Sequence, residues 1–316
     1  MSSSTQHKVG IFPASGGIGG GTVKHILQRL SPSNLILIAR NPSNLLHARE
    51  LGANVRQADY DDDESIRNSF RGIKTLFLIS YASVEVEHRF EVAINTAIAS
   101  GVKHIFYGSL GFAGSAKNRE SVAHVMKAHL MTEGYLQACR KEHTAFDFTI
   151  IREGLYTESY PLYTSFFDPA RPVNEVKIPH DGAGPGIAWV KREELGEATA
   201  ELISRYVVDP DDFPYRQQTI LFSGIKTLTL SETVSILSEI AQVPVQIKQV
   251  SDDEFASQAQ VIPSFTYHGI DYSKPWASAF EAFRRGEAAA ASPLLSELLG
   301  REPEDFKTTV MNSLKA

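Results

Sequence analysis

Five runs in the first half of the chain, "HKVGIF", "NLILIAR", "IKTLFLIS", "KHIFYGSL" and "FDFTIIR", are continuously apolar rather than alternating. Short unbroken runs of Val, Ile, Leu and Phe are what strands look like when both faces of their sheet are covered. Between them the spacing turns helical, in "GTVKHILQRL", "DDESIRNSFRG", "EVEHRFEVAINTAIASG" and "VAHVMKAHLMTEGYLQACRKE". Strand and helix in regular succession predict an α/β fold with a parallel, doubly wound sheet. The rhythm then breaks into "LYTESYPLYTSFFDPARPVNEVKIPHDGAGPG", an aromatic, Pro- and Gly-rich connection of the kind that carries function. "IAWVKREELGEATAELISRY" resumes strand and helix, and "QQTILFSG" adds a strand. In "TLSETVSILSEIAQ", Thr229 and Glu232 have the spacing of a capping box, and the chain closes on helical spacing.

The turn after the first run, "PASGGIG", has the setting of a dinucleotide-binding turn: strand before, helix after. Such turns use glycine for a tight bend, for close approach of backbone to pyrophosphate, and for packing helix on strand. Aligned on the strand, the three positions fall on Pro13, Gly16 and Gly19. Proline removes one N–H and fixes φ near −65°. The later amides, from Gly17 and Ile18 onward, remain free to hold an anion, and Ser15 adds a hydroxyl. Gly20 and Gly21 carry the run into the helix, where each costs on the order of 1 kcal/mol against alanine, so a close neighbour is expected there. The plainer alternative is a glycine turn kept only for packing.

The second strand ends on Arg40, where an acidic residue would bind the adenosine ribose. A guanidinium pairs bidentately with a 2′-phosphate, so NADP(H) is expected over NAD(H). Asp59 is placed at the end of the third strand, to accept from adenine, and Ser80 with Tyr81 at the end of the fourth. All would lie at the carboxyl edge of the sheet.

Composition narrows the partners. The chain has 316 residues and a net charge of −6 with no Lys/Arg cluster, which argues against nucleic acid. Neither the start "MSSSTQHK" nor any later stretch offers a signal-peptide core or a membrane span, so no membrane partner is expected. The single cysteine, Cys139, allows no internal disulfide and suits a reducing, cytoplasmic setting. Asp61, Asp62, Asp63 and Glu64 open a helix, where carboxylates complement the macrodipole, and no residues have metal-ligand spacing, so no metal is expected. Oligomeric state is open.

The segments "SGGIGG", "LIARNP", "VRQADYDD", "TLFLIS", "AIASGVKHIFYGSL", "IIREGLY" and "LSELLGREPEDF" together resemble the NmrA-like, atypical short-chain dehydrogenase/reductase family, most of all its NADPH-dependent quinone oxidoreductase branch. The resemblance implies a Rossmann-type domain over 1–154, its sheet completed by 187–224. A smaller α/β C-terminal substrate lobe would then comprise 155–186 and 225–316. It also implies that the conventional Tyr–Lys proton relay is missing, and no tyrosine here has a lysine four residues on. The position that holds a proton-transferring lysine in isoflavone-reductase-like members falls on His129, and a further lysine of the branch is replaced by Gly134.

His129, Tyr156 and Tyr107 are therefore the candidate catalytic groups, His129 because it titrates near neutral pH. The plain alternative for His129 is a helix-face histidine satisfied by a carbonyl. Ser109 ends the fifth strand beside the nucleotide, and Tyr156, Tyr160, Tyr163 and Glu153 would line a flat aromatic substrate. Glu153 stands where the branch has asparagine, with an ion pair to Arg152 as its structural alternative. Three functions follow: an NADPH-dependent reductase of a quinone, enone or ketone on a flat aromatic or polyketide-like molecule; an NADP(H)-binding redox sensor without turnover; or a non-redox isomerase or cyclase.

Overall fold

The computed structural model describes residues 7–80, 89–267 and 269–315. Its first six strands are β1 (Val9–Phe12), β2 (Leu35–Ala39), β3 (Asn54–Gln57), β4 (Thr75–Ile79), β5 (His104–Leu110) and β6 (Asp147–Glu153). They are followed by β7 (Glu175–Ile178) and β8 (Gln218–Phe222). The main sheet has the order β3-β2-β1-β4-β5-β6-β8, every neighbouring pair parallel, as the unbroken apolar runs predict. Strand order reverses between β1 and β4, and in such sheets a ligand crevice opens at that reversal, beyond the strands' carboxyl ends.

The helices that cover this sheet are α1 (Gly17–Ile26), α2 (Leu46–Glu50), α3 (Asp63–Arg67), α4 (Arg89–Ala99), α5 (Met126–Glu142) and α6 (Arg192–Val208). The period-2 alternation of each strand divides its side chains between two cores. Val9, Ile11, Leu35 and Leu37 pack with Ile26, Leu195 and Leu202 of α1 and α6. Phe12, Ile36 and Ile38 pack on the other face with Phe70, Phe90 and Leu136. Each such side chain contributes about 1.5–3 kcal/mol by leaving water.

After β8 come α7 (Leu230–Ala241) and β9 (Gln246–Gln249), the latter paired in parallel with β7. The rest comprises α8 (Asp252–Ala256), α9 (Ile262–Phe265), a hairpin of β10 (Thr266–Tyr267) and β11 (Ile270–Asp271), α10 (Ser273–Arg284), α11 (Leu294–Leu299) and α12 (Phe306–Ser313). A third core, with Phe112, Trp189, Phe280, Phe283 and Phe306, joins these elements to the loops beyond β5 and β6. Among the described residues no helix is long and apolar enough to cross a membrane.

Local chemistry sets several boundaries. The Thr229–Glu232 capping box forms as its spacing predicts, with both reciprocal hydrogen bonds present at the start of α7. Asp62 caps α3, accepting from the Glu64 and Ser65 amides, although that helix has only five residues where a longer one was expected. The strand expected in "IAWV" is reduced to isolated bridges, Tyr156 with Val190 and Ile187 with Leu228. Gly21 has the close neighbour its cost implied, since α6 crosses so tightly that a Cβ on Gly196 would stand 2.7 Å from the Gly21 backbone, whereas a Cβ on Gly20 would meet nothing nearer than 4.0 Å. Arg29 and Glu201 tie the two helices again at 3.1 Å.

Candidate functional site

A cavity of about 470 Å³ opens at the reversal of strand order, and it has two chemically different ends. One is the turn itself, lined by Pro13 and by Ser15 through Gly19. Gly16 and Gly17 adopt φ of 71° and 46°, left-handed backbone that glycine enters freely, and nothing stands within 4 Å of where their Cβ atoms would be. Gly19 answers a different need: a Cβ there would lie 1.9 Å from the Pro13 carbonyl oxygen. The peptide between Phe12 and Pro13 is cis. Among the described residues no side chain caps α1, and its first-turn residues Gly17, Ile18 and Gly19 line the cavity, a ready position for an anion.

The other end is built from side chains. Ser80, just past β4, donates to the Gly108 carbonyl at 2.9 Å and sits 2.9 Å from His129 Nδ1 on α5. Burial, assisted by Arg152, pushes His129 down to about 4, so the imidazole is neutral at neutral pH. This corrects the expectation of a histidine titrating near 7. Ser109 reaches the same wall, but its hydroxyl is committed to Glu133 at 2.7 Å. Arg152, fully buried, holds Glu133 through Nε at 2.9 Å and Nη2 at 2.7 Å, and holds the Ser115 and Asn118 carbonyls as well.

Arg152 thus pairs with Glu133 and not with Glu153. Successive residues of a strand point to opposite faces, which separates the two neighbours. Glu153 turns to the cavity face, where Tyr156 donates to its Oε2 at 2.8 Å while Oε1 has no partner among the described residues. The guanidinium of Arg192, at the start of α6, lies 5.1 Å from the centroid of the Tyr156 ring. Tyr163 and Trp276, with ring centroids 6.4 Å apart and nearly parallel, supply an aromatic wall.

Not every expected residue arrives. Tyr107 lies two residues before Ser109 and is fully buried against Phe90, below the cavity rather than in its wall. Tyr160 packs on Phe306 in the third core and does not line the cavity. Asp59 falls beyond the end of β3, and its Oδ1 accepts from the Asp61 amide at 3.1 Å, so the carboxylate organises its own turn. Arg40 is exposed, and its side chain makes no ion pair among the described residues. Tyr81 lies outside the described residues.

Arg192 and Trp276 are two of the wall residues that the sequence did not single out, alongside Ser159 and a set of apolar ones. Both are distant from the glycine turn along the chain, and their only signal was membership of the stretches after the fifth apolar run. A larger hollow of about 710 Å³ lies between residues 164–177 and 258–260. Its charged groups pair with one another, Asp168 with Arg171 and Glu175 with Lys177, and none of the expected site residues reaches it.

A parallel sheet with a glycine turn at its switch point and a side-chain cavity beside it defines a Rossmann-type fold with a ligand site at the usual place. The NmrA-like family model matches residues 5–308, and the chain belongs to that family, as its motifs imply. It is 28% identical over 300 residues to the NmrA-like family domain-containing oxidoreductase flvB of Aspergillus flavus, spanning 93% of this chain and 90% of that protein. Quinone oxidoreductase 2 of Escherichia coli is 27% identical over 252 residues, 79% of this chain and 80% of that one. Of solved structures, the Citrobacter sp. triphenylmethane reductase complexed with NADP(H) matches with a TM-score of 0.74 at 24% identity, covering 97% of this chain and 99% of the other. The NADPH-dependent quinone oxidoreductase QOR2 of Escherichia coli complexed with NADPH matches with a TM-score of 0.76 at 22% identity, again 97% and 99%.

Proposed function

We propose that the protein is an NADP(H)-dependent oxidoreductase that reduces a quinone, enone or ketone carried on a flat aromatic or polyketide-like molecule. The observation that carries this reading is the continuity of one cavity from the uncapped amides of α1 to the Tyr163–Trp276 wall. The residues fit the nucleotide: the first-turn amides and Ser15 would hold its pyrophosphate, and the exposed Arg40, which makes no ion pair among the described residues, would hold a 2′-phosphate. The names of the relatives, reductases and quinone oxidoreductases among them, support the same class. When bound, the reduced nucleotide would supply a hydride. The chain supplies position, an aromatic surface, and hydrogen-bonding groups on His129 and Tyr156.

Titration with NADPH and with NADH, followed by nicotinamide fluorescence, tests the reading together with Arg40→Ala. NADPH affinity is expected to fall at least about tenfold in the variant, roughly 1.4 kcal/mol, with NADH unaffected. Nucleotide binding without reduction of any acceptor would make the protein a redox sensor. Substrate turnover with no nucleotide present would make it an isomerase or cyclase.

A further inference from the structure

We propose that Glu153 is the proton donor of this site, delivering a proton carried on its Oε1 to the oxygen of a carbonyl-type substrate in the cavity. The proposal rests on the reductase reading above.

Glu153 closes β6 with 1% exposure, and among the described residues its Oε1 has no hydrogen-bond partner. That oxygen lies against the backbone of Gly108, 3.3 Å from where a Cβ would stand, and both residues line the cavity. A buried carboxylate oxygen without a donor is costly, whereas a hydroxyl in the same place can itself donate to a ligand. Burial pushes Glu153 up to about 8, against the opposing influence of the Tyr156 hydrogen bond and Arg192, so the acid is protonated at neutral pH. The titratable and charged groups that face it are Tyr156 beyond β6 and Arg192 from α6, while Tyr107 of β5, on the opposite face of the sheet, feels its charge. His129 of α5 shares the cavity wall.

Two further polar atoms of the wall are buried without partners among the described residues, Arg192 Nε and Trp276 Nε1, and both are obligatory donors. With Glu153 protonated, these three groups offer hydrogen bonds to the acceptor oxygens of a ligand, while the neutral His129 ring keeps one nitrogen as an acceptor.

The bound nucleotide would supply the hydride that the substrate carbon gains, being itself oxidised by the same two electrons that reduce the substrate, and the carbonyl π pair would move onto oxygen. A new O–H bond forms to that oxygen as the Oε1–H bond of Glu153 breaks. Glu153, left as a carboxylate, is stabilised by the Tyr156 hydroxyl and the Arg192 charge, and solvent returns its proton after product leaves.

Infrared difference spectra of wild type against Glu153→Gln, taken a unit either side of pH 8, test the protonation without nucleotide or substrate. A protonated carboxyl band present on the acid side and lost on the alkaline side is expected; a carboxylate on both sides overturns the proposal. Single-turnover oxidation of NADPH by menadione then tests the role. Glu153→Gln should bind NADPH as wild type does, react roughly 10²- to 10⁴-fold more slowly, and lose the alkaline fall in rate. Tyr156→Phe removes the hydrogen bond that favours the carboxylate, and should shift that alkaline fall to higher pH. A Glu153→Gln enzyme with the wild-type rate and pH profile overturns the donor while leaving the reductase reading intact. Failure of the wild type to bind NADPH overturns that reading, and the delivery step with it.

Discussion

The two ends of the cavity are made in opposite ways. The nucleotide end is backbone: seven consecutive residues, Pro13 to Gly19, bend and present amides, and their side chains matter chiefly by being absent. The substrate end is side chain: Ser80, His129, Glu153, Arg192 and Trp276 come from five separate stretches, and burial sets the charge of His129 and Glu153. A local site tolerates a proline because the chain supplies several amides. A site assembled from distant groups depends on each partner being satisfied.

The difference can be broken at its strongest point by Arg152→Met. It removes the buried partner of the Glu133 carboxylate, leaving Ser109 and the exposed Arg119 at 3.6 Å, and breaking such a pair costs about 3–5 kcal/mol. Urea unfolding should show a loss of that size, with nucleotide affinity of the folded protein retained. Gly19→Ala should do the reverse. Its Cβ would meet the Pro13 carbonyl, so about 1–3 kcal/mol of stability and most NADPH binding should go together, visible in paired melting and fluorescence titrations.

The smallest effect separates the ends by pH. Glu153 is raised from 4.5 to about 8, so it adds stability below 4.5 that is lost as pH rises through about 8. His129 is lowered from 6.5 to about 4, so its contribution is complete above 6.5 and lost as pH falls toward 4. Between 6.5 and 8 only the Glu153 slope remains of the two. Wild type should lose up to about 1.4 kcal/mol per pH unit there, and Glu153→Gln should be flat by comparison in urea unfolding.

The same contrast explains what the sequence disclosed. The strands β1, β2, β4, β5 and β6 were legible because both faces are buried and their runs are unbroken. β3 was not visible as such a run, because it is half exposed at the sheet edge and reads "NVRQ". The glycine turn was legible because its chemistry is contiguous. Glu153 was singled out, yet its charge state depends on Gly108, Tyr156 and Arg192, which no spacing rule connects. Tyr107 was misplaced by two residues of strand, the distance between the sheet's rim and its interior. His129 was placed in the right wall but given a titration near 7 that burial removes.

The backbone contact of Gly21 with Gly196 has a geometric consequence. α1 begins at Gly17 with the amides for an anion, and α6 begins at Arg192 beside Tyr156. Each contact lies four residues into its helix, so the two starting points are clamped together about one turn above a crossing that has no side chain to compress. The connecting loops can therefore be exchanged or lengthened without altering that spacing. It behaves as a fixed gauge between the two ends of the cavity, around which a redesigned substrate wall could be varied.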